Sequence, residues 1–106
     1  MNLAELAYKV AAGLPKDELY GLSSQIKRSA VSVPANIAEG YGRDSKGSYI
    51  QQLRIAQGSL KELETHILIA ERVKLLPIDH VREMLILADR IGKMLRGLIR
   101  SLESLT

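Results

Sequence analysis

Two imidazoles, His66 and His80, are the side chains of this sequence best suited to holding a metal ion or moving a proton at neutral pH. The sequence has no cysteine, so a thiolate nucleophile and a cysteine-based zinc site are excluded. A di-iron bundle needs a glutamate and a histidine three residues apart on each of two helices, whereas Glu62 and His66 are four apart. We therefore predict that both histidines are surface or boundary residues, that the chain binds no metal or cofactor, and that it is not an enzyme.

The segment 40–48 resembles a phosphate-binding loop, because it combines glycines, a lysine and a following helical pattern. A P-loop requires Gly-Lys-Ser/Thr directly after a strand, whereas here Lys46 precedes Gly47 and Ser48 between two helical patterns. The segment is therefore predicted to be an interhelical turn. A weak anion contact through Arg43, Lys46 and the first amides of the next helix stays open as an alternative.

Basic side chains recur along three helical patterns and are candidates for contact with nucleic-acid phosphates. The net charge is only +3, and Asp89 and Glu103 flank the last basic group, so the same stripes also suit an ordinary solvated helix face. The four aromatic residues are all tyrosines, which argues against recognition of unpaired bases by stacking. The candidate nucleic-acid-binding residues are Lys27, Arg28, Arg43, Lys46, Arg54, Lys61, Lys93, Arg96 and Arg100.

These side chains are predicted to lie on helices, because apolar residues recur every three or four positions and strand-type alternation is absent. Gly13 and Pro15 end the first helix, and residues 75–77 break the third. The predicted elements are a helix over about 2–12, a loop over about 16–18 with a return to helix near 20–22, a helix over about 22–39, a helix over about 45–74, and a last helix capped by Asp79.

The second predicted helix contains a proline in its interior. Pro34 removes one backbone donor and its ring clashes with the carbonyl of Ala30, so we expect a bend there. Asn36 is a candidate functional residue, but the simpler expectation is that it is buried and hydrogen-bonds the backbone that Pro34 opens. Beyond this helix, Asp44 or Ser45 is the predicted N-cap of the third.

The last predicted helix carries more apolar surface than a single core requires, because apolar residues occupy four of its seven heptad positions. The third helix also has apolar residues outside its seam. In one bundle these side chains form an exposed patch, which is typical of protein–protein contact, so we predict a homo-oligomer. A monomer covered by its N-terminal segment is the alternative. The predicted interface residues are Leu68, Ile69, Val73, Leu85, Leu87, Met94 and Ile99.

The composition is that of one globular domain. The 106 residues are 46% hydrophobic and 25% charged, which excludes an intrinsically disordered chain. No apolar run reaches the roughly 18–20 residues that a membrane-spanning helix needs, and no secretory signal pattern is visible. We therefore predict a single domain over 1–106, cytoplasmic and without membrane contact.

Four segments of the sequence, 22–30, 32–40, 42–43 and 55–64, carry a family resemblance; they read LSSQIKRSA, SVPANIAEG, GR and IAQGSLKELE. Over nearly its whole length the chain resembles the small bacterial four-helix-bundle proteins encoded in intervening sequences of large-subunit ribosomal RNA genes. The resemblance implies an up-and-down bundle with a kink at Pro34 and assembly into a ring-shaped homopentamer. It supplies no catalytic residues. More distant relatives are the accessory proteins of diversity-generating retroelements, which associate with a reverse transcriptase and with nucleic acid.

Two functional hypotheses follow from the residues and the resemblance together. The first is a non-enzymatic homo-oligomeric bundle that binds structured RNA or a related nucleic acid, including DNA, through repeated basic faces. The second is a protein-interaction adaptor, for instance for a reverse transcriptase, with little affinity for RNA.

Overall fold

The computed structural model describes residues 2–14 and 21–105, and within these ranges the chain is helical and contains no strand. The all-α prediction with four helices is confirmed. The predicted loop at 16–18 and the return to helix near residue 20 lie outside the described residues. The helices are α1 (Asn2–Ala12), α2 (Leu22–Tyr41), α3 (Lys46–Arg72) and α4 (Ile78–Glu103).

Each helix packs against its neighbour in the sequence, and α1 also packs against α4. The four helices therefore surround one core in chain order, and the molecule measures 49 × 20 × 19 Å. α1 has 11 residues whereas α3 has 27, so α1 is about 16 Å long against about 40 Å. It covers only the half of the bundle that contains the starts of α2 and α4.

The core is built from the apolar stripes that the sequence predicts. On α3, Leu53, Leu63 and Ile67 are almost completely buried, and Met84 and Leu95 meet them from α4. Full burial of such a side chain contributes about 1.5–3 kcal/mol to folding. The packing of these stripes is what holds the exposed faces of α3 and α4 in a defined orientation.

α2 runs through Pro34 as one helix, two residues longer at its end than predicted. Asn36 is half-buried, and its amide donates to the carbonyl and the hydroxyl of Ser32 at 2.8 and 2.9 Å. The carbonyl that Pro34 leaves without a donor is that of Ala30, so the expected role of Asn36 is wrong. A helical side chain reaches the carbonyl one turn back, and for Asn36 that carbonyl belongs to Ser32. The Ser32 hydroxyl in turn lies 2.7 Å from that of Ser59 on α3.

The two later helices begin differently. Ser45 is the N-cap of α3, and its hydroxyl accepts the backbone N–H of Ser48 at 3.1 Å, which settles the choice between the two predicted caps. The predicted cap Asp79 of α4 is wrong, because the N-cap is Pro77. Pro77 already has the extended backbone of an N-cap, and its carbonyl accepts the N–H of Val81. Asp79 lies in the first turn of α4, where its negative charge interacts favourably with the helix dipole.

α3 ends two residues before the predicted boundary in a Schellman motif. The N–H of Leu75 donates to the carbonyl of Ala70 at 2.8 Å, and the N–H of Lys74 to that of Glu71 at 2.9 Å. Lys74 has a φ of 60° and is the only non-glycine residue of the described chain with positive φ. The turn directs Leu76 into the core.

Candidate nucleic-acid interface

Five of the nine predicted nucleic-acid-binding residues lie on the side of the bundle formed by α3 and α4. α3 contributes two of them and α4 three, and all five side chains are exposed. Contacts across the two helices bring them together: Arg54 of α3 bonds Glu103 of α4 at 2.9 Å, and Lys61 and Arg96 line one shallow cleft. We call this surface the α3–α4 basic face; its cations are Arg54, Lys61, Lys93, Arg96 and Arg100.

Three of these five cations pair with carboxylates on the same surface, whereas Arg96 and Arg100 form no ion pair with any residue that the structure describes. Exposed pairs of this kind contribute only about 0–1 kcal/mol, so a phosphate can replace the carboxylate at small cost. The pairs are Arg54–Glu103 at 2.9 Å, Lys93–Asp89 at 3.1 Å and Lys61–Glu64 at 3.9 Å.

Arg43 and Lys46 lie at one end of the bundle, where residues 42–45 connect α2 to α3. The predicted interhelical turn is therefore confirmed. Arg43 pairs with Glu39 of α2 at 2.9 Å, and Lys46 donates to the carbonyl of Leu105. Both cations are thus engaged within the chain.

Lys27 and Arg28 lie on the opposite side of the bundle, because α1 and α2 pack on the far side from the α3–α4 basic face. They border an open cleft of about 450 Å³ between α1 and α2. The ammonium of Lys27 lies 5.2 Å from the centroid of the Tyr8 ring. The nine predicted cations therefore occupy two separate faces and one end of the bundle, not one surface.

The predicted interface residue Ile99 belongs to the core of the single chain, with only 4% of its surface exposed. It follows Gly92 by one heptad, and Gly92 faces Leu60 of α3. This row of α4 therefore packs against α3, and Ile99 is not available to a partner. The sequence shows how wide the apolar arc is, but not which of its edges a neighbouring helix covers.

The other predicted interface residues divide into two groups. Leu85 and Leu87 are half-buried and pack against the core. Leu87 also lines a groove of about 560 Å³ between α1 and α4, together with Leu6 and Ile86. The remaining four are 44–57% exposed: Leu68, Ile69, Val73 and Met94.

Several further exposed apolar side chains are absent from the predicted interface, Ile86 and Tyr41 among them. Ile86 is 57% exposed on the outer face of α4, and Tyr41 is 81% exposed at the end of α2. Tyr41 borders an apolar depression with Pro34, Ile37 and Ala38 on the half of α2 that α1 does not reach. Ile37, Ala38 and Tyr41 follow Pro34 by three, four and seven residues. This spacing marks a second apolar stripe on α2 that is visible in the sequence.

The two histidines lie at the boundary between core and surface, as predicted. The Nε2 atom of His66 lies 3.5 Å from the Oε1 atom of Glu62, and His80 is half-buried. Over residues 2–14 and 21–105, no three His, Asp or Glu side chains come together as a metal site would require. None of the helices in these ranges is both long and apolar enough to span a bilayer.

Several solved structures match this chain, and one of them shares its architecture over almost its full length. It is a protein of unknown function from the S23 ribosomal protein family of Bacteroides thetaiotaomicron, with a TM-score of 0.75 and 22% identity. The match covers 92% of this chain and 97% of that one, so the fold is shared over almost the full length of both. No curated protein matches the chain.

Comparison with family models gives a match over residues 1–97 to the family described as 23S rRNA-intervening sequence protein. The matched range includes all of α1, α2 and α3 and most of α4. It agrees with the resemblance carried by the segments around Pro34 and by residues 55–64. The chain therefore belongs to the 23S rRNA-intervening sequence protein family.

Proposed function

We propose that this protein is a non-enzymatic, homo-oligomeric bundle that binds structured RNA through the α3–α4 basic face. The observation that carries the proposal is the presence on this face of two arginines, Arg96 and Arg100, without a carboxylate partner among the described residues. The family description, 23S rRNA-intervening sequence protein, supports structured RNA as the nucleic acid in this proposal.

The chemistry of the face suits phosphate rather than bases. A guanidinium presents a planar fork of donors that matches two phosphate oxygens, and the two free arginines lie one turn apart. The paired cations add to this field, because each exposed pair is weak enough to exchange its carboxylate for a phosphate. Contacts to phosphate position a protein on a helix without reading its sequence, so we expect little sequence preference.

Replacement of both free arginines tests the proposal. Arg96→Gln with Arg100→Gln should weaken binding to unrelated structured RNAs alike and flatten the dependence of log affinity on log salt by about two units, since each phosphate contact contributes about 0.9. The matched control, Arg72→Gln with Arg82→Gln, removes the same charge from the far end of the same two helices and should leave the slope close to wild type.

The measurement is a fluorescence-anisotropy titration across about 50–200 mM salt, where several phosphate contacts change affinity by orders of magnitude. Equal losses in both double variants would show that only net charge matters and not this face. Absence of binding by the intact wild-type protein at the low-salt end would reject RNA as the ligand.

A second function, the protein-interaction adaptor, is favoured by the groove between α1 and α4. Its floor contains Leu6, Leu87 and the exposed Ile86, and charged side chains line its edges, a pattern that protein partners use. A protein that binds no RNA but forms a stable complex with a purified reverse transcriptase encoded beside its gene would establish this function. Location of the gene inside a ribosomal RNA gene would favour RNA binding.

A further inference from the structure

The cleft between α1 and α2 differs in chemistry from the α3–α4 basic face. The described residues that line it are two cations, two hydroxyl-bearing residues, a tyrosine and a glycine, and none of them is acidic. On the α3–α4 basic face, by contrast, three of five cations have carboxylate partners. The described lining residues of the cleft are Tyr8, Gly21, Ser23, Ser24, Lys27 and Arg28.

We propose that this cleft is a nucleotide-binding site, in which Lys27, Arg28 and the serine hydroxyls hold a phosphate and the Tyr8 ring contacts the ribose or base of the same nucleotide. The inference rests on the proposed function, because within the cell the nucleotide is part of the bound RNA. It extends that function by a second site, on the opposite side of the bundle from the α3–α4 basic face.

The polar groups of the cleft are free to bind an anion. Neither the hydroxyl of Ser23, the hydroxyl of Ser24 nor the guanidinium of Arg28 has a hydrogen-bond or ion-pair partner among the residues that the structure describes. Hydroxyl, ammonium and guanidinium groups all donate hydrogen bonds, and phosphate oxygens accept them. A phosphate therefore satisfies donors that the protein itself leaves unused.

The Tyr8 ring orients the cation and supplies an apolar wall. Lys27 is half-buried, and its ammonium is held over the ring at 5.2 Å from the centroid by a cation–π interaction. Tyr8 is 51% exposed, so part of the ring stays accessible to a ligand. The cleft volume of about 450 Å³ lies within the roughly 300–1,000 Å³ of small-molecule sites.

The test uses adenosine monophosphate, inorganic phosphate and adenosine as separate probes, each titrated into isotope-labelled full-length protein and followed by amide NMR shifts. We expect the monophosphate to shift the amides of Tyr8 and residues 21–28. Inorganic phosphate should shift residues 23–28 but leave Tyr8 unchanged, and adenosine should bind more weakly than the monophosphate.

Variants assign the binding to the cleft. Lys27→Gln with Arg28→Gln should lower the affinity for the monophosphate at least tenfold, whereas the control Arg72→Gln with Arg82→Gln, which lies outside both proposed sites, should leave it unchanged. Tyr8→Leu should lower the affinity for the monophosphate but not the affinity for inorganic phosphate. Amide resonances of residues outside the cleft should keep their wild-type shifts in each variant, which shows that the variant retains the fold.

Three results overturn the inference: shifts as large on α4 as in the cleft, wild-type affinity in the Lys27 and Arg28 double variant, or no shift at millimolar monophosphate. Structured RNA that still binds in any of these cases leaves the proposed function intact. Monophosphate bound in the cleft of a protein that binds no structured RNA supports the site and rejects the proposed function.

Discussion

Gly40 shows how a single missing side chain allows two helices to pack. A Cβ atom at this position of α2 would lie 2.8 Å from Cδ1 of Tyr49 and 2.9 Å from Cβ of Gln52, both on α3. Tyr49 in turn meets the ring of Tyr41 edge to face, with centroids 6.3 Å apart. The glycine therefore allows the tyrosine ring to lie against the backbone of α2.

Gly40→Ala should lower the free energy of unfolding by up to about 2 kcal/mol, because overpacking costs about 1–3 kcal/mol and alanine regains about 1 kcal/mol of helix propensity. The control is Gly97→Ala, where no atom lies within 4 Å of the added Cβ, and stability should rise by about 0.5–1 kcal/mol. Urea denaturation at equal protomer concentration measures both changes. Equal stabilisation by the two substitutions would contradict the close contact.

At the scale of elements, the end of α3 decides where the chain re-enters the core. The Schellman motif places Lys74 in the left-handed region, which costs a non-glycine residue about 1–2 kcal/mol. The same turn leads to Leu76, which is buried, and to Pro77, which caps α4. The short turn between these two long helices therefore requires a strained backbone conformation at Lys74.

Lys74→Gly should raise the free energy of unfolding by about 0.5–1 kcal/mol, because relief of the left-handed strain exceeds the entropy that glycine loses on folding. Lys74→Ala removes the same charge but keeps the strain, so its stability should stay within about 0.5 kcal/mol of wild type. Thermal unfolding of the three proteins under one set of conditions separates strain from charge. Identical gains for glycine and alanine would assign the effect to charge alone.

At the scale of the whole molecule, short α1 leaves half of the bundle with three helices around the core. The exposed apolar residues include Tyr41, which α1 does not reach, and Met94 on α4. A single chain that exposes this much apolar surface is expected to associate. We propose the homo-oligomer, with the homopentamer implied by the family resemblance as the expected size.

Light scattering at micromolar concentration should report several protomers, and Met94→Glu should raise the concentration needed for assembly at least about tenfold, because it would bury an unpaired charge at the contact. Arg82→Glu is the control, since it changes charge on the polar face of α4. Met94 is preferable to Leu87, whose half-buried side chain also supports the packing of α1. A wild-type monomer at this concentration would contradict the assembly.

The local features of this protein can be read from its amino-acid sequence. Helix type and number follow from the three- and four-residue spacing of apolar side chains, and the stripe through Leu53 and Ile67 is the core side of α3. The N-cap of α3 depends on a side-chain oxygen and an amide three residues apart, so the sequence narrows it to Asp44 or Ser45, and the structure selects Ser45. These features depend on contacts within a turn or two of one helix, where spacing along the chain is the distance that matters.

Which groups share a surface depends on how the helices pack against one another. It separates Lys27 and Arg28 from Arg96 and Arg100, and it buries Ile99 although the sequence places it on an outer edge. Each helix carries a readable apolar face, but the rotation of that face toward one neighbour or another is set by side-chain packing between helices. Functional surfaces on a bundle are formed across such pairs of helices, so their composition depends on long-range packing that periodicity along one chain does not contain.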